Sequence, residues 1–141
     1  MGDIRMRQRL GIDFQSVHDV AGSLRLFGSD YLESIYNDRE RDYALSHPHC
    51  AARYLAGRFA GREAVLKLLN SLDSFAMWGD IILGDDYGST TVRLRGNALL
   101  LATEWGLDDI RLCIASTKEL AAAVAVADLR IRPDAKGLGQ T

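Results

Sequence analysis

The sequence predicts an α+β fold with a mostly antiparallel sheet. Period-two alternation marks strands near both ends of the chain, in "RLGIDF" (9–14) and "DDIRLCIAS" (108–116). Helically spaced segments fill the first half between them, and the later strands follow one another with one helix inserted. A length of 141 residues, with 48% hydrophobic and 26% charged residues, suits one globular domain.

In the first strand Leu10, Ile12 and Phe14 form one apolar face, so Asp13 points to the other face near the strand's end. "SVHDVAGSLRLFG" is a short helix or an irregular segment, because Gly22 weakens it. "SDYLESIY" carries Tyr31, Leu32 and Ile35 at helical spacing. Asn37 with Glu40 three residues on is a capping box, so a new helix starts there. "HPHC" ends it, since Pro48 disfavours helix in the residue before it.

The longest helix is expected over about residues 50 to 70, with Leu55, Phe59, Leu66 and Leu69 in its apolar stripe. "WGDIILGDD" and "STTVRLRG" read as two strands joined by a loop with Asp85, Asp86 and Gly88. "NALLLATEWG" reads as a helix stopped by Gly106. "KELAAAVAVADL" stays open between helix, favoured by its alanines, and buried strand, favoured by its valines. The domain is expected over residues 1–127, followed by a polar tail, 128–141.

A net charge of −2 gives no global pull toward nucleic acid or anionic membrane, so any phosphate chemistry must rest on local cations. Cys50 and Cys113 do not make a disulfide framework and read as reduced thiols of a cytoplasmic protein. The first residues lack the apolar core of a secretory signal, and no apolar run approaches membrane-spanning length.

The long helix, "AARYLAGRFAGREAVLKLLN", concentrates the residues that could carry chemistry. Gly57 and Gly61 each cost roughly 1 kcal/mol relative to alanine in a helix interior. Close approach of another backbone or of a ligand would compensate. Ala56, Ala60, Glu63 and Lys67 share one face, which sets Glu63 in a shallow trough. Its partner is Lys67 at i+4 or a divalent cation, with Asp13 supplying a second carboxylate. Arg58 and Arg62 form an i,i+4 pair that could grip phosphate oxygens. On spacing alone, Glu63 and Lys67 read first as an ordinary surface pair of little energetic value.

Other candidates are weaker. His47, His49 and Cys50 of "HPHC" lack the fourth ligand a structural zinc site needs. Cys113 is expected to alternate inward on its strand, which argues against a thiol nucleophile. "GDDYGS" lacks calcium-loop spacing and reads as a turn. Trp78 and Trp105 are expected in the core or an interface.

The order of motifs resembles the holo-[acyl-carrier-protein] synthase family of 4′-phosphopantetheinyl transferases. "GID" on the first strand and "LAGRFAGREAVLK" some fifty residues later match the family's G-[IL]-D strand and "LAGRFAAKEAxxK" helix. "WGDIIL" is similar to its D-I-E strand, and "DDYGSTTVRLRGNA" to its hairpin and following helix. "CIASTKELAAAVAV" is similar to its "SISHTKEYAAAxVV" ending. The resemblance spans about residues 9 to 127.

That resemblance implies the 4′-phosphopantetheinyl transferase fold: an antiparallel sheet wrapped around a long central helix, assembled as a trimer with active sites between subunits. It makes residues 120 to 127 a strand. It implies transfer of phosphopantetheine from coenzyme A, the co-substrate, to a serine of an apo acyl carrier protein, releasing 3′,5′-ADP. Carried over, Asp13 and Glu63 ligate Mg²⁺, Glu63 and Lys67 are catalytic, and Arg58, Lys67 and Ser116 contact coenzyme A. The family's Gly-Thr-Gly turn is Asn70, Ser71 and Leu72 here, its "SISH" histidine is Ser116, and its hairpin proline is Thr90. The early helix, basic in the family where it meets an acidic carrier, has His18 and Asp19 with Arg25 nearby. These departures suit a specialised carrier of secondary metabolism. The second reading is a relative that binds a carrier without transferring, or works on another carrier- or CoA-bound substrate.

Overall fold

The alternation that begins the chain does form a strand, and it runs straight into a helix. The structure, a computed structural model, describes residues 6–69, 75–86 and 89–130. Strand β1 (Met6–Ser16) leads to α1 (Val17–Ile35), α2 (Asp38–Ser46) and α3 (Ala51–Leu69). A 3₁₀ helix (Phe75–Asp80) precedes β2 (Ile81–Asp86) and β3 (Ser89–Leu94), then α4 (Gly96–Trp105), β4 (Leu107–Ser116) and β5 (Leu120–Arg130). No helix among the described residues is long and apolar enough to cross a membrane.

The strands form an antiparallel sheet in the order β1-β5-β4 and a separate hairpin, β2-β3. Asp13 pairs with Ala123, which pairs on its other side with Ile114. One face of the three-stranded sheet packs on α3, the central helix. Ala121, Ala123, Ala125 and Ala127 of β5 turn inward and are buried against it. Their helix propensity is overridden because β5 is the middle strand, hydrogen-bonded on both edges. Short side chains there let sheet and helix approach closely.

The glycines of α3 serve the same approach. A Cβ on Gly57 would sit 2.9 Å from Ile114 Cγ2, and one on Gly61 would sit 3.0 Å from Leu83 Cδ1 and 3.1 Å from Ile114 Cδ1. Sheet side chains therefore occupy the space, and no ligand is needed to explain these residues. Gly11 is tighter still, since its Cβ would fall 2.0 Å from the Ala64 carbonyl oxygen. The glycine of "GID" is where β1 crosses the backbone of α3.

Local signals hold at several ends. Asn37 and Glu40 close the capping box of α2 in both directions. Gly106 ends α4 in the left-handed region at φ 69°. Asp80 turns its carboxylate onto the start of α4, accepting from Asn97 N at 3.0 Å. Other elements differ from expectation. The segment left open after β1 is helical, and Gly28 (φ 51°, ψ −125°), outside helical geometry, divides it from the helix expected over "SDYLESIY". Strand β5 runs to Arg130, three residues into the expected tail, whose remainder lies outside the described residues. Cys113 is exposed: it is out of phase with Leu112 and Ile114, which pack inward, so the inward placement is wrong.

The outer face of the sheet is apolar and open. Leu10 is 63% exposed, Ile12 46% and Phe14 61%, with Val124 of β5 beside them in register with Ile12. A face of this kind marks an interaction surface.

Candidate active site

Asp13 sits on the inner face of β1, two residues beyond the crossing at Gly11. Strand alternation sends it toward α3 while Ile12 and Phe14 point outward. Its side chain is only 13% exposed. Lys67, a turn of α3 beyond Glu63, reaches back over it. Its Nζ donates to the Ile12 carbonyl at 2.6 Å and to Asp13 Oδ1 at 3.2 Å. Gln15 Nε2 donates to the other carboxylate oxygen, Oδ2, at 2.7 Å. Asp13 is thus held from both sides.

Glu63 lies beside this group, half-buried. Burial raises its pKa above the usual carboxylate value; the Asp13 charge raises it further, and Lys67 offsets part of that. Lys67 pairs with Asp13, and Glu63 has no ion pair among the described residues. The simple surface pair between Glu63 and Lys67 therefore does not form. Glu63 also borders a cavity of about 500 Å³ lined by Ile35, Tyr36, Phe59, Trp78 and Arg62.

Two carboxylates and one ammonium leave the group short of positive charge. That donor set suits a hard divalent cation, and Mg²⁺ commonly takes one or two carboxylates and completes its shell with water and phosphate. A closed protein cage is not on offer, since the described residues contain no cluster of three or more His, Cys, Asp or Glu.

The arginine pair of α3 does not form a phosphate grip. Arg62, one residue before Glu63, is 2% exposed and donates to Glu40 Oε1 at 2.5 Å and to the Ile81 carbonyl at 3.3 Å. Arg58 is 5% exposed, pairs with Asp85, and lies over the Tyr54 ring. Ser116 ends β4 in the row of Ala121 and Gln15, across the sheet from Asp13. Its Oγ accepts from Arg53 Nε at 2.8 Å, and its carbonyl from Arg53 Nη2 at 2.5 Å.

The structure thus brings Asp13, Glu63 and Lys67 together and leaves Arg58 and Ser116 apart from them. Sequence reasoning missed Gln15 and Arg53. Period two did put Gln15 on the face of Asp13, but a neutral amide drew no notice. The pairing of Arg53 with Ser116 spans 63 positions and left no local signal. The residues replacing the Gly-Thr-Gly turn, Asn70 to Leu72, lie outside the described residues. His47 and Cys50 are engaged locally, His47 Nδ1 with the Tyr43 carbonyl and Cys50 Sγ with the His47 carbonyl. Trp78 is half-buried, its Nε1 donating to the Ile35 carbonyl at 2.7 Å, whereas Trp105 is 44% exposed under Arg9.

Comparison with known proteins gives the family. A family model described as the 4′-phosphopantetheinyl transferase superfamily matches residues 9–125. The chain belongs to that superfamily. The holo-[acyl-carrier-protein] synthase of Caldanaerobacter subterraneus is 36% identical over 98 residues, 69% of this chain and 76% of the relative. That of Gloeobacter violaceus is 34% identical over 117 residues, 82% of this chain and 88% of the relative. The crystal structure of the Plasmodium yoelii holo-ACP synthase superposes with TM-score 0.72 at 26% identity, covering 89% of this chain and 99% of that one. The chain is therefore a transferase of the holo-[acyl-carrier-protein] synthase type, with the fold of those enzymes.

Proposed function

We propose that this protein transfers 4′-phosphopantetheine from coenzyme A to a serine hydroxyl of an apo acyl carrier protein, with Mg²⁺ held by Asp13 and Glu63. The reading rests on one observation: two carboxylates and a lysine converge at a half-open site beside a cavity. Its relatives are holo-[acyl-carrier-protein] synthases.

In the reaction a bond forms between the serine oxygen and the β-phosphorus, the bond from that phosphorus to the 3′,5′-ADP oxygen breaks, and the serine loses its proton. Because the reacting groups are crowded with negative charge, positioning and electrostatics carry most of the catalysis. Mg²⁺, when bound, supplies charge neutralisation and orients the pyrophosphate. Glu63 takes the serine proton. Lys67 is 52% exposed, so its ammonium can turn from Asp13 toward the phosphate that leaves.

A homotrimer fits the open apolar face of the sheet, and a neighbouring copy would bring the Arg53–Ser116 corner to the site. There Arg53 supplies a positive charge where the family has a histidine. Arg58 is engaged by Asp85 and the Tyr54 ring and contacts coenzyme A less directly than its motif implies. The low basicity of α1 suits a specialised carrier. The two free cysteines suit the cytoplasm.

The test is incubation with coenzyme A, Mg²⁺ and candidate apo carriers, read by intact mass. We expect a phosphopantetheine adduct on the carrier that is absent with Glu63→Ala. Coenzyme A binding without modification of any carrier, including one encoded beside this protein, would overturn the reading in favour of a carrier-binding relative.

A further inference from the structure

Among the described residues each oxygen of Asp13 has a side-chain partner, and the partners differ in kind. Lys67 holds Oδ1 from α3, at 3.2 Å. Gln15 holds Oδ2 from β1 itself, at 2.7 Å. We propose that Gln15 is a positioning residue: its side-chain amide fixes the Asp13 carboxylate so that Oδ1 stays turned toward α3, where Lys67 and Glu63 lie. This rests on the proposed cation site.

The strand makes the contact possible, since residues i and i+2 share a face. The amide orientation follows from chemistry, because an ionised carboxylate accepts only and Gln15 must present its NH₂. The last torsion of an aspartate is soft and roughly two-fold, so an untethered carboxylate would turn between several orientations. A second anchor removes that freedom before any cation arrives.

The neutrality of the anchor matters as much as its reach. An arginine or lysine at this position would add charge that competes with a cation for Asp13. An apolar residue would leave the carboxylate loose. An amide orients it and leaves the charge of the Asp13–Glu63–Lys67 group unchanged. Hydrogen-bonded support behind metal-ligating carboxylates is a general feature, and its loss typically weakens metal affinity about 10- to 100-fold.

The experiment uses the free protein and Mn²⁺, a paramagnetic stand-in for Mg²⁺, followed by electron paramagnetic resonance without coenzyme A. The variant is Gln15→Met, which keeps length and volume and removes the donor. Gln15→Asn, which keeps the amide but falls a methylene short, is the second variant should the first not fold. Either should raise the Mn²⁺ dissociation constant roughly ten-fold, with thermal unfolding near that of the wild type. In the transfer assay the Mg²⁺ concentration for half-maximal rate should rise about ten-fold while the KM for coenzyme A moves less than about two-fold. Wild-type Mn²⁺ affinity in a folded variant would overturn the role of Gln15 and leave the proposed function standing. A wild-type protein that binds no Mn²⁺, with coenzyme A added or without it, would overturn both.

Discussion

Arg62 and Glu63 are neighbours on one helix, yet they belong to opposite kinds of site. Arg62 and Glu40 are both almost fully buried, and Glu40 also accepts the backbone N–H of Asn37 at 3.1 Å in the capping box. That pair welds α2 to α3. Glu63, about 100° further round the helix, meets Asp13 and a lysine that already serves Asp13. One region matches its charges and closes over them. The other gathers like charges at a half-open edge, at a cost in stability. The difference separates an ion pair that holds the fold from the charges of the proposed cation site, although Arg58–Arg62 and Glu63–Lys67 are both i,i+4 patterns in the sequence.

The largest expected effect breaks the second region. Glu63→Gln should lower transfer by about 10³-fold or more by removing the proposed base and cation ligand. It should also raise the melting temperature at neutral pH. Glu63 titrates above 4.5 when folded, because of burial first and Asp13 second. Its stabilising contribution is therefore complete below pH 4.5 and is lost as pH rises through the folded value. The neutral amide escapes that loss. The two melting temperatures should converge near pH 4.5 and separate upward, and wild-type activity should fall as acid protonates Glu63. A melting temperature for Glu63→Gln below wild type at pH 7 would show that Glu63 supports the fold.

The first region breaks in the other sense. Glu40→Gln leaves the Arg62 guanidinium buried without its counter-charge, and removing one partner of such a pair costs about 3–5 kcal/mol. Urea unfolding should show the midpoint shifted down with an unchanged slope. A loss under about 1 kcal/mol would place Arg62 with the exposed pairs that contribute little.

The contrast also explains what could be read from the sequence. The capping box of Asn37 and Glu40, the alternation of β1 and the stop at Gly106 depend on residues within a few positions of each other, and all are present. The partner of Arg62 lies 22 positions back, so spacing could only suggest a phosphate grip. Strand β5 needed its two neighbours to decide between alanine helix and strand. Asp13 and Glu63 were legible as a pair because the family motif names them. Gln15, to which no motif points, became visible only through its hydrogen bond.

The smallest effects come from two glycines, and they sharpen the comparison because they move its regions independently. Gly11→Ala puts a methyl into the Ala64 carbonyl, 2.0 Å from where its Cβ must lie, and backbone cannot step aside as a side-chain tip can. Strand β1 must lift from α3, at a cost of roughly 1–3 kcal/mol. Asp13 rides on that strand two residues on, so transfer should fall with stability while the Glu40–Arg62 weld stays intact. Gly61→Ala meets the tips of Leu83, Ile114 and Leu112 at 3.0 to 3.2 Å, which can shift by tenths of an ångström. The gain in helix propensity, roughly 1 kcal/mol, offsets that strain. Its net effect on stability should stay within about 1 kcal/mol, and transfer should hold near wild type. If Gly11→Ala lost stability alone, keeping full activity, the seating of β1 on α3 would matter to the core and not to the convergence of Asp13 with Glu63.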